Sequence, residues 1–283
     1  MTRRFAGKLA RMLLNLVLVV LLGGLAAAAL VRYSPGFDLD ENAWTPKMSA
    51  ATLAARHARY GVESGLPVFY ARYLAAAVRG DFGISQSFDT PVAELLARRI
   101  PISAKLIAWG TCGGLLCGGL LAWLAVWPRH TGWTVITASI SGFLIAIPPA
   151  VLALFFFFSE APLAMAISLA IVPRVFVTMK ALLAELHAST ALLGARARGV
   201  GSVVIGVQYV LRPAMQHLLA LTGVALVLGL GCIIPVEALC DVPGIGQLAW
   251  KAALARDLPL LSALALVITF TVTAVHSVSE LVA

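Results

Sequence analysis

Long apolar runs, separated by one long and several short polar gaps, organise this chain. The runs are Met12–Val31, Ile102–Val126, Trp133–Phe158, Leu163–Lys180, Met215–Pro235 and Leu258–Val278. Each approaches or exceeds the roughly 20 residues a helix needs to cross a bilayer, so the pattern predicts six transmembrane helices. The long gap is Arg32–Pro101. Within it Ala50–Tyr60 and Pro67–Val78 show helical periodicity, the second through Phe69, Tyr73 and Ala77. Gly80-Asp81-Phe82-Gly83 reads as a turn. Thr90-Pro91 then opens a helix over Pro91–Ile100, with proline at its first position and Glu94 in its first turn. This helix is expected to lie on the surface until Pro101 starts the second span. Pro148 and Pro149 break the third run and Pro173 interrupts the fourth. Such breaks are tolerated where neighbouring helices satisfy the freed carbonyls. A kink beside a permeation path and a purely structural kink both fit.

Charge placement orients these spans. The chain has 283 residues, 60% hydrophobic and 12% charged, with a net charge of +8, which excludes an ordinary soluble domain. Nucleic-acid binding does not account for the basic excess, because the cations sit in short segments at span ends. Arg3, Arg4, Lys8 and Arg11 precede the first run, Arg129 lies in the Trp127–Gly132 turn, and Lys180, Arg196, Arg198 and Arg212 lie between the fourth and fifth runs, opposed only by Glu185. By the positive-inside rule these segments are cytoplasmic. Both termini are then inside and Arg32–Pro101 is a long first extracytoplasmic loop. The first run is longer than a signal-peptide core and shows no clear small-residue cleavage site, so it reads as an uncleaved span.

Several chemistries have no motif to carry them. No Gly-x-x-x-x-Gly-Lys-Ser/Thr, His-Glu-x-x-His or Gly-x-Ser-x-Gly occurs, so no ATPase, metalloprotease or esterase is expected. Cys112, Cys117, Cys232 and Cys240 lack Cys-x-x-Cys spacing, and neither a metal site nor a cofactor is expected. The chain reads as a pathway and not as an enzyme.

The stretch from Ala188 to Ala214 is the most distinctive. Ala195-Arg196-Ala197-Arg198-Gly199 places small residues, cations and a terminating glycine in a short loop. A short helix closed by Gly199 would be a knob that another protein could grip. This resembles the cytoplasmic "EAA" loop of importer-type ABC permeases, in the Ala-Arg-Ala-Lys-Gly form of the dipeptide and oligopeptide permeases. Further motifs follow the same family's order: Ser34-Pro35-Gly36, Gly80-Asp81-Phe82-Gly83-Ile84-Ser85, Pro91-Val92, and Glu237 followed by Pro243-Gly244-Ile245-Gly246-Gln247-Leu248 and Arg256-Asp257-Leu258-Pro259. Phe37, Ser103 and Cys240 stand where the family favours Asp, Thr and Phe, Ala191 where it favours Tyr, and Leu193 where it favours Arg. The short Ser159–Pro162 turn and the absence of an Asp-Pro-Arg tail also depart from it.

The resemblance implies a type I ABC importer fold with a coupling helix between spans four and five. Residues 1–31 would carry the first span, 32–101 the extracytoplasmic loop and 102–283 the permease core, with the coupling loop at 185–213. It further implies a permease subunit in a bacterial plasma membrane, importing dipeptides, oligopeptides or a related solute such as a nickel chelate. Its partners would be membrane lipid, a second related permease, two ATPase subunits and an extracytoplasmic binding protein. Ala195 to Gly199 would contact the ATPase. Pro243, Gly244 and Gly246 would form a re-entrant corner. Glu237, Arg256 and Asp257 would be outer-gate residues, or equally an interfacial ion-pair cluster. A self-sufficient secondary carrier is the competing class, although no inverted repeat is evident.

Overall fold

A computed structural model describes residues 2–32, 66–126 and 131–282. The expected helix at Ala50–Tyr60, the Ser34-Pro35-Gly36 motif and the Trp127–His130 part of the basic turn, with Arg129, lie outside them. The described chain is helical: α1 Thr2–Arg32, α2 Leu66–Ala77, α3 Val92–Val126, α4 Thr131–Ala146, α5 Pro149–Phe158, α6 Ala164–Ala188, α7 Thr190–Ala197, α8 Arg212–Leu239, α9 Ile245–Leu254 and α10 Leu258–Val282. Helix α8 is entered through Ser202–Val204 and a π-helical turn, Ile205–Leu211. The chain is all-α and crosses the membrane several times. Among the described residues α3, α6, Ala220–Leu239 of α8 and Leu258–Ser279 of α10 are long and apolar enough to span. Helices α4 and α5 add a fifth span if the pair is one broken crossing, and α1 carries a shorter apolar stretch, Leu14–Leu30.

Prolines set the differences from the expected boundaries. At Pro148 and Pro149 the helix axis turns by 93°. Pro148 takes the extended conformation that a residue before proline requires, and Pro149 opens α5 at its first turn. Contrary to the expectation that Pro101 starts the second span, it lies inside the 35-residue α3. A single proline removes one backbone bond, which a long helix survives when its flanks are held. Val92, Leu95 and Leu96 before Pro101 and Ser103 and Ile107 after it are buried. Pro173 is likewise internal to α6, and Pro235 lies inside α8, which continues to Leu239.

The chain forms two units. One comprises residues 1–99 and 248–273, the other 100–247 and 274–283. In the first, α2 crosses α1 where Tyr70 donates a hydrogen bond to the Leu21 carbonyl at 2.8 Å. The ring reaches so close that a Cβ on Gly24 would fall 2.7 Å from Leu266 and closer still to the Tyr70 hydroxyl. Ala28, Tyr70 and Leu258 form its small buried cluster.

The second unit is built around α6. Gly110, Gly114 and Gly118 recur every four residues along α3 and face the ridge Ile167, Ile171 and Val175 of α6. Residues four apart share one helix face. A Cβ at these glycines would stand 2.6, 2.8 and 2.7 Å from the Cβ atoms of those three residues. Ser168 completes the contact, its hydroxyl donating to the Gly110 carbonyl at 3.0 Å. Lipid offers no hydrophobic gain on helix association, so close packing of small residues has to supply it. Helix α6 packs as well on α4, α5 and α8, and Val172, Phe176 and Met179 are buried. Overpacking a tight core typically costs about 1–3 kcal/mol. Gly114→Ala should therefore destabilise the protein, lowering the detergent melting temperature by several degrees. A melting curve unchanged from wild type would show that α3 and α6 can separate without cost.

Candidate functional site

Three constructions gather the residues singled out by sequence. The first is α7, the short helix Thr190–Ala197. Ser189 caps its start, accepting from the Leu192 N–H at 3.4 Å while its hydroxyl donates to the Leu186 carbonyl at 2.7 Å. One residue thus ends α6 and begins α7. At the other end Gly199 takes a left-handed φ of +72°. The Val200 N–H reaches back to the Ala195 carbonyl at 3.2 Å and the Gly199 N–H to the Arg196 carbonyl at 3.0 Å, the Schellman arrangement that glycine favours. Leu192 and Ala195 are fully buried and pin the helix to the unit. Arg196, Ala197, Arg198, Gly199 and Leu193 are exposed. The expected pentapeptide is therefore split: Ala195 anchors, and the other four present an outward cationic surface.

The second construction is the turn from α8 into α9. Val242, Pro243 and Gly244 form a γ-turn, the Gly244 N–H donating to the Val242 carbonyl at 2.7 Å. Proline's fixed φ suits its central position. Helix α9 then begins at Ile245, and Gly244 before it has no side chain to cap the free N–H groups. Two distant side chains do so instead. Ser103 Oγ accepts from the Ile245 N–H at 2.8 Å, and Glu237 Oε2 accepts from the Gly246 N–H at 2.6 Å. Ser103 in turn donates to Glu237 Oε1 at 2.6 Å, closing the ring. Glu237 is completely buried. A carboxylate at a helix N-terminus is stabilised by the converging N–H dipoles, and its hydrogen bonds offset a desolvation cost of several kcal/mol.

The glycines here serve close approach. A Cβ on Gly244 would overlap the Glu237 carboxylate, and one on Gly246 would lie 2.7 Å from the Ile233 carbonyl oxygen. Neither residue has a positive φ; Asp241 does, at 49°, and its carboxylate accepts from the Gln247 amide.

The third construction holds Asp257 and belongs to the other unit. Asp257 is the N-cap of α10, with Oδ1 accepting from the Leu260 N–H at 3.2 Å. Its Oδ2 accepts from the Ser85 hydroxyl and from both the N–H and the hydroxyl of Ser87, the latter two at 3.0 Å. Arg256, immediately before it, sits at the end of α9 with φ +53°, where a glycine would be expected. Tyr73 donates to the Pro259 carbonyl at 3.3 Å. Burial, reinforced by Tyr70, Asp257 and Asp81, pushes the Tyr73 phenol above its ordinary range and keeps it a neutral donor. The Gly-Asp-Phe-Gly-Ile-Ser loop and the Arg-Asp-Leu-Pro segment are thus one structure.

Glu237, Gly244 and Gly246 meet at one corner. Asp257 gathers with the 85–87 loop of the other unit, and Arg256 precedes it in the chain. Both carboxylates are held by hydroxyl and backbone N–H donors, which supports neither side of the expected ion-pair alternative directly. Sequence reading passed over Ser103, Ser85 and Ser87 as binding partners. For Ser85 and Ser103 the available signal was their position at motifs already recognised; Ser87 lies beyond the Gly80–Ser85 motif. Among the described residues no group of three or more His, Cys, Asp or Glu could hold a metal ion.

Comparison with known proteins gives these constructions a common context. The family described as "Binding-protein-dependent transport system inner membrane component" matches residues 110–283. The oligopeptide transport system permease protein OppB of Salmonella typhimurium is 27% identical over 262 residues, covering 84% of each chain. OppB of Escherichia coli K12 is 26% identical over 261 residues with the same coverage. The nickel import system permease protein NikB of Staphylococcus aureus USA300 is 22% identical over 286 residues, covering 95% of this chain and 87% of the relative. The chain belongs to the binding-protein-dependent inner-membrane transport family, as a multi-pass permease subunit of an ABC importer and not its ATPase.

Proposed function

We propose that this permease forms half of an import pathway and docks on an ATPase subunit through α7. The observation that carries the reading is the outward surface of Leu193, Arg196, Ala197, Arg198 and Gly199 on a helix capped at both ends. A knob that buries only Leu192 and Ala195 is built to be gripped. In this reading six spans cross with both termini in the cytoplasm, α1 and the bent α4–α5 pair each counting as one. A second related permease would complete the path, two ATPases would drive it and an extracytoplasmic binding protein would deliver solute. Membership in the family removes the ground for a self-sufficient carrier.

The solute class proposed is dipeptides and oligopeptides, as named for the OppB relatives, with nickel chelates, as named for the NikB relative, the alternative. In this proposal the Glu237–Ser103–Ile245 ring holds the outer corner of the path, with Pro243, Gly244 and Gly246. Asp257 and Arg256 set the outer end of α10.

Affinity purification of the tagged chain from its native membranes in mild detergent should recover an ATPase and a second permease. Recovery of the chain alone would overturn the reading. The partner binding protein can then be titrated with peptides and with nickel chelates; binding of nickel chelates alone would replace the peptide assignment.

Two substitutions test the parts. No atom lies within 4 Å of a Cβ placed on Gly199, so a side chain there starts into open space on the proposed docking surface. Gly199→Ala, which adds only the left-handed strain of about 1–2 kcal/mol, should retain ATP-driven uptake. Gly199→Trp should abolish uptake while membrane insertion stays intact, and normal uptake by it would remove α7 as the docking element. At the corner, Ser103→Val keeps the shape of threonine but loses the hydroxyl, leaving a buried acceptor and a helix N–H unmet at about 1–3 kcal/mol. It should reduce uptake at least tenfold in assembled transporter, while Ser103→Thr restores it.

A further inference from the structure

The two helices that leave α7 differ in kind. On one side a single residue, Ser189, joins it to α6 with its hydroxyl bonded to both helices. Helix α6 is in turn locked to α3 by the glycine contacts. On the other side the chain passes Gly199 and Gly201 and enters α8 through seven residues of π-helix, Ile205–Leu211. A π turn bonds i to i+5, so it holds one residue more than an α-helix would over the same rise. Such turns are rare and recur at functional sites.

The sequence explains its position. Pro213 follows directly, and in α geometry its ring would collide with the carbonyl four residues back, on Tyr209. Widening the helix just before the proline relieves that clash, and the Arg212 N–H bonds the Val207 carbonyl instead. Ile205 and Val210 are buried and fix the two ends of the turn. Between them Gly206 has open space around it, and Val207 and Gln208 are exposed. The extra residue is therefore pinned at its flanks and free in its middle. It can pass along the helix by exchanging i+5 for i+4 bonds.

We propose that the π turn Ile205–Leu211 is a compliant joint between the docking helix and α8. Displacement of α7 passes undiminished into α6 and α3, while the joint takes up the difference and lets α7 move relative to α8. This rests on the docking role proposed for α7.

Spin labels report it directly in the transporter purified with its ATPase. Ala191→Cys on α7, outside the docking surface, is paired with Val177→Cys on α6 or with Val224→Cys on α8, all three positions being exposed. The exposed Cys112 and Cys117 are replaced by serine. Between the nucleotide-free and the ATP–vanadate states, the 191–224 distance should change by more than ~2 Å, the scale of allosteric helix shifts. The 191–177 distance should stay within that limit. Deleting Val207 removes the extra residue and should abolish the 191–224 change; Pro213→Ala, which permits α geometry without shortening the chain, should reduce it. A constant 191–224 distance in the wild type, an equal change at 191–177, or a deletion variant that moves like the wild type would each overturn the joint while leaving docking intact. Failure of any ATPase to co-purify would overturn docking and joint together.

Discussion

The approach of α3 to α6 is the constraint on which the larger unit depends. Its glycines admit β-branched side chains to distances that no Cβ would allow, so the contact is made between a bare backbone and a stiff ridge. Valine and isoleucine lose little side-chain freedom on packing in a helix, because one χ1 rotamer is already preferred there. The contact is consequently cheap in entropy as well as close. Because α6 packs on α4, α5 and α8 as well, fixing α6 positions the helices around it. Helix α7 then hangs from the most firmly held helix in the unit, separated from it by Ser189 alone.

The same physical device recurs at the two buried acids. Glu237 and Asp257 each accept from the first turn of a helix and from a serine far upstream, Ser103 and Ser85 respectively. A buried carboxylate without donors would be prohibitive in an apolar setting, and one with several becomes a cross-link of fixed geometry. The difference lies in who caps whom. Asp257 caps its own helix, whereas Glu237 caps the helix that follows a glycine, which is why Gly244 can tolerate no side chain. The constraint on that glycine comes from a neighbour's carboxylate and not from its own backbone angles.

Sequence made the long apolar runs, the capped knob and the order of the motifs legible, because these depend on periodicity, length and local turn chemistry. It was less informative where a residue's meaning is set by a distant partner. Gly110, Gly114 and Gly118 stand at a spacing that could have been read as a packing face, yet within an apolar run glycine looks merely neutral. Pro243-Gly244-Ile245-Gly246 reads as a turn, but the glycines answer to Glu237 and Ile233. Single prolines misled for a related reason. Pro101 and Pro235 look like boundaries locally, whereas α3 and α8 run through them; the adjacent Pro148 and Pro149 do break the helix path.

Helix termination shows where local preference yields to something else. Gly80 and Gly199 close α2 and α7 in the left-handed conformation that glycine adopts without penalty. Glu160, Asp241 and Arg256 take the same conformation after α5, α8 and α9, where a glycine would avoid about 1–2 kcal/mol of strain. For Asp241 the side chain gives a reason, since it bonds Gln247 within the corner. Arg256 precedes the buried Asp257, so its strained backbone delivers that carboxylate to the start of α10. Strain retained at a charged residue beside a polar cross-link points to the cross-link as the feature being maintained. The corner after α8 and the start of α10 are in this sense specified twice, by the buried acid and by the backbone that presents it.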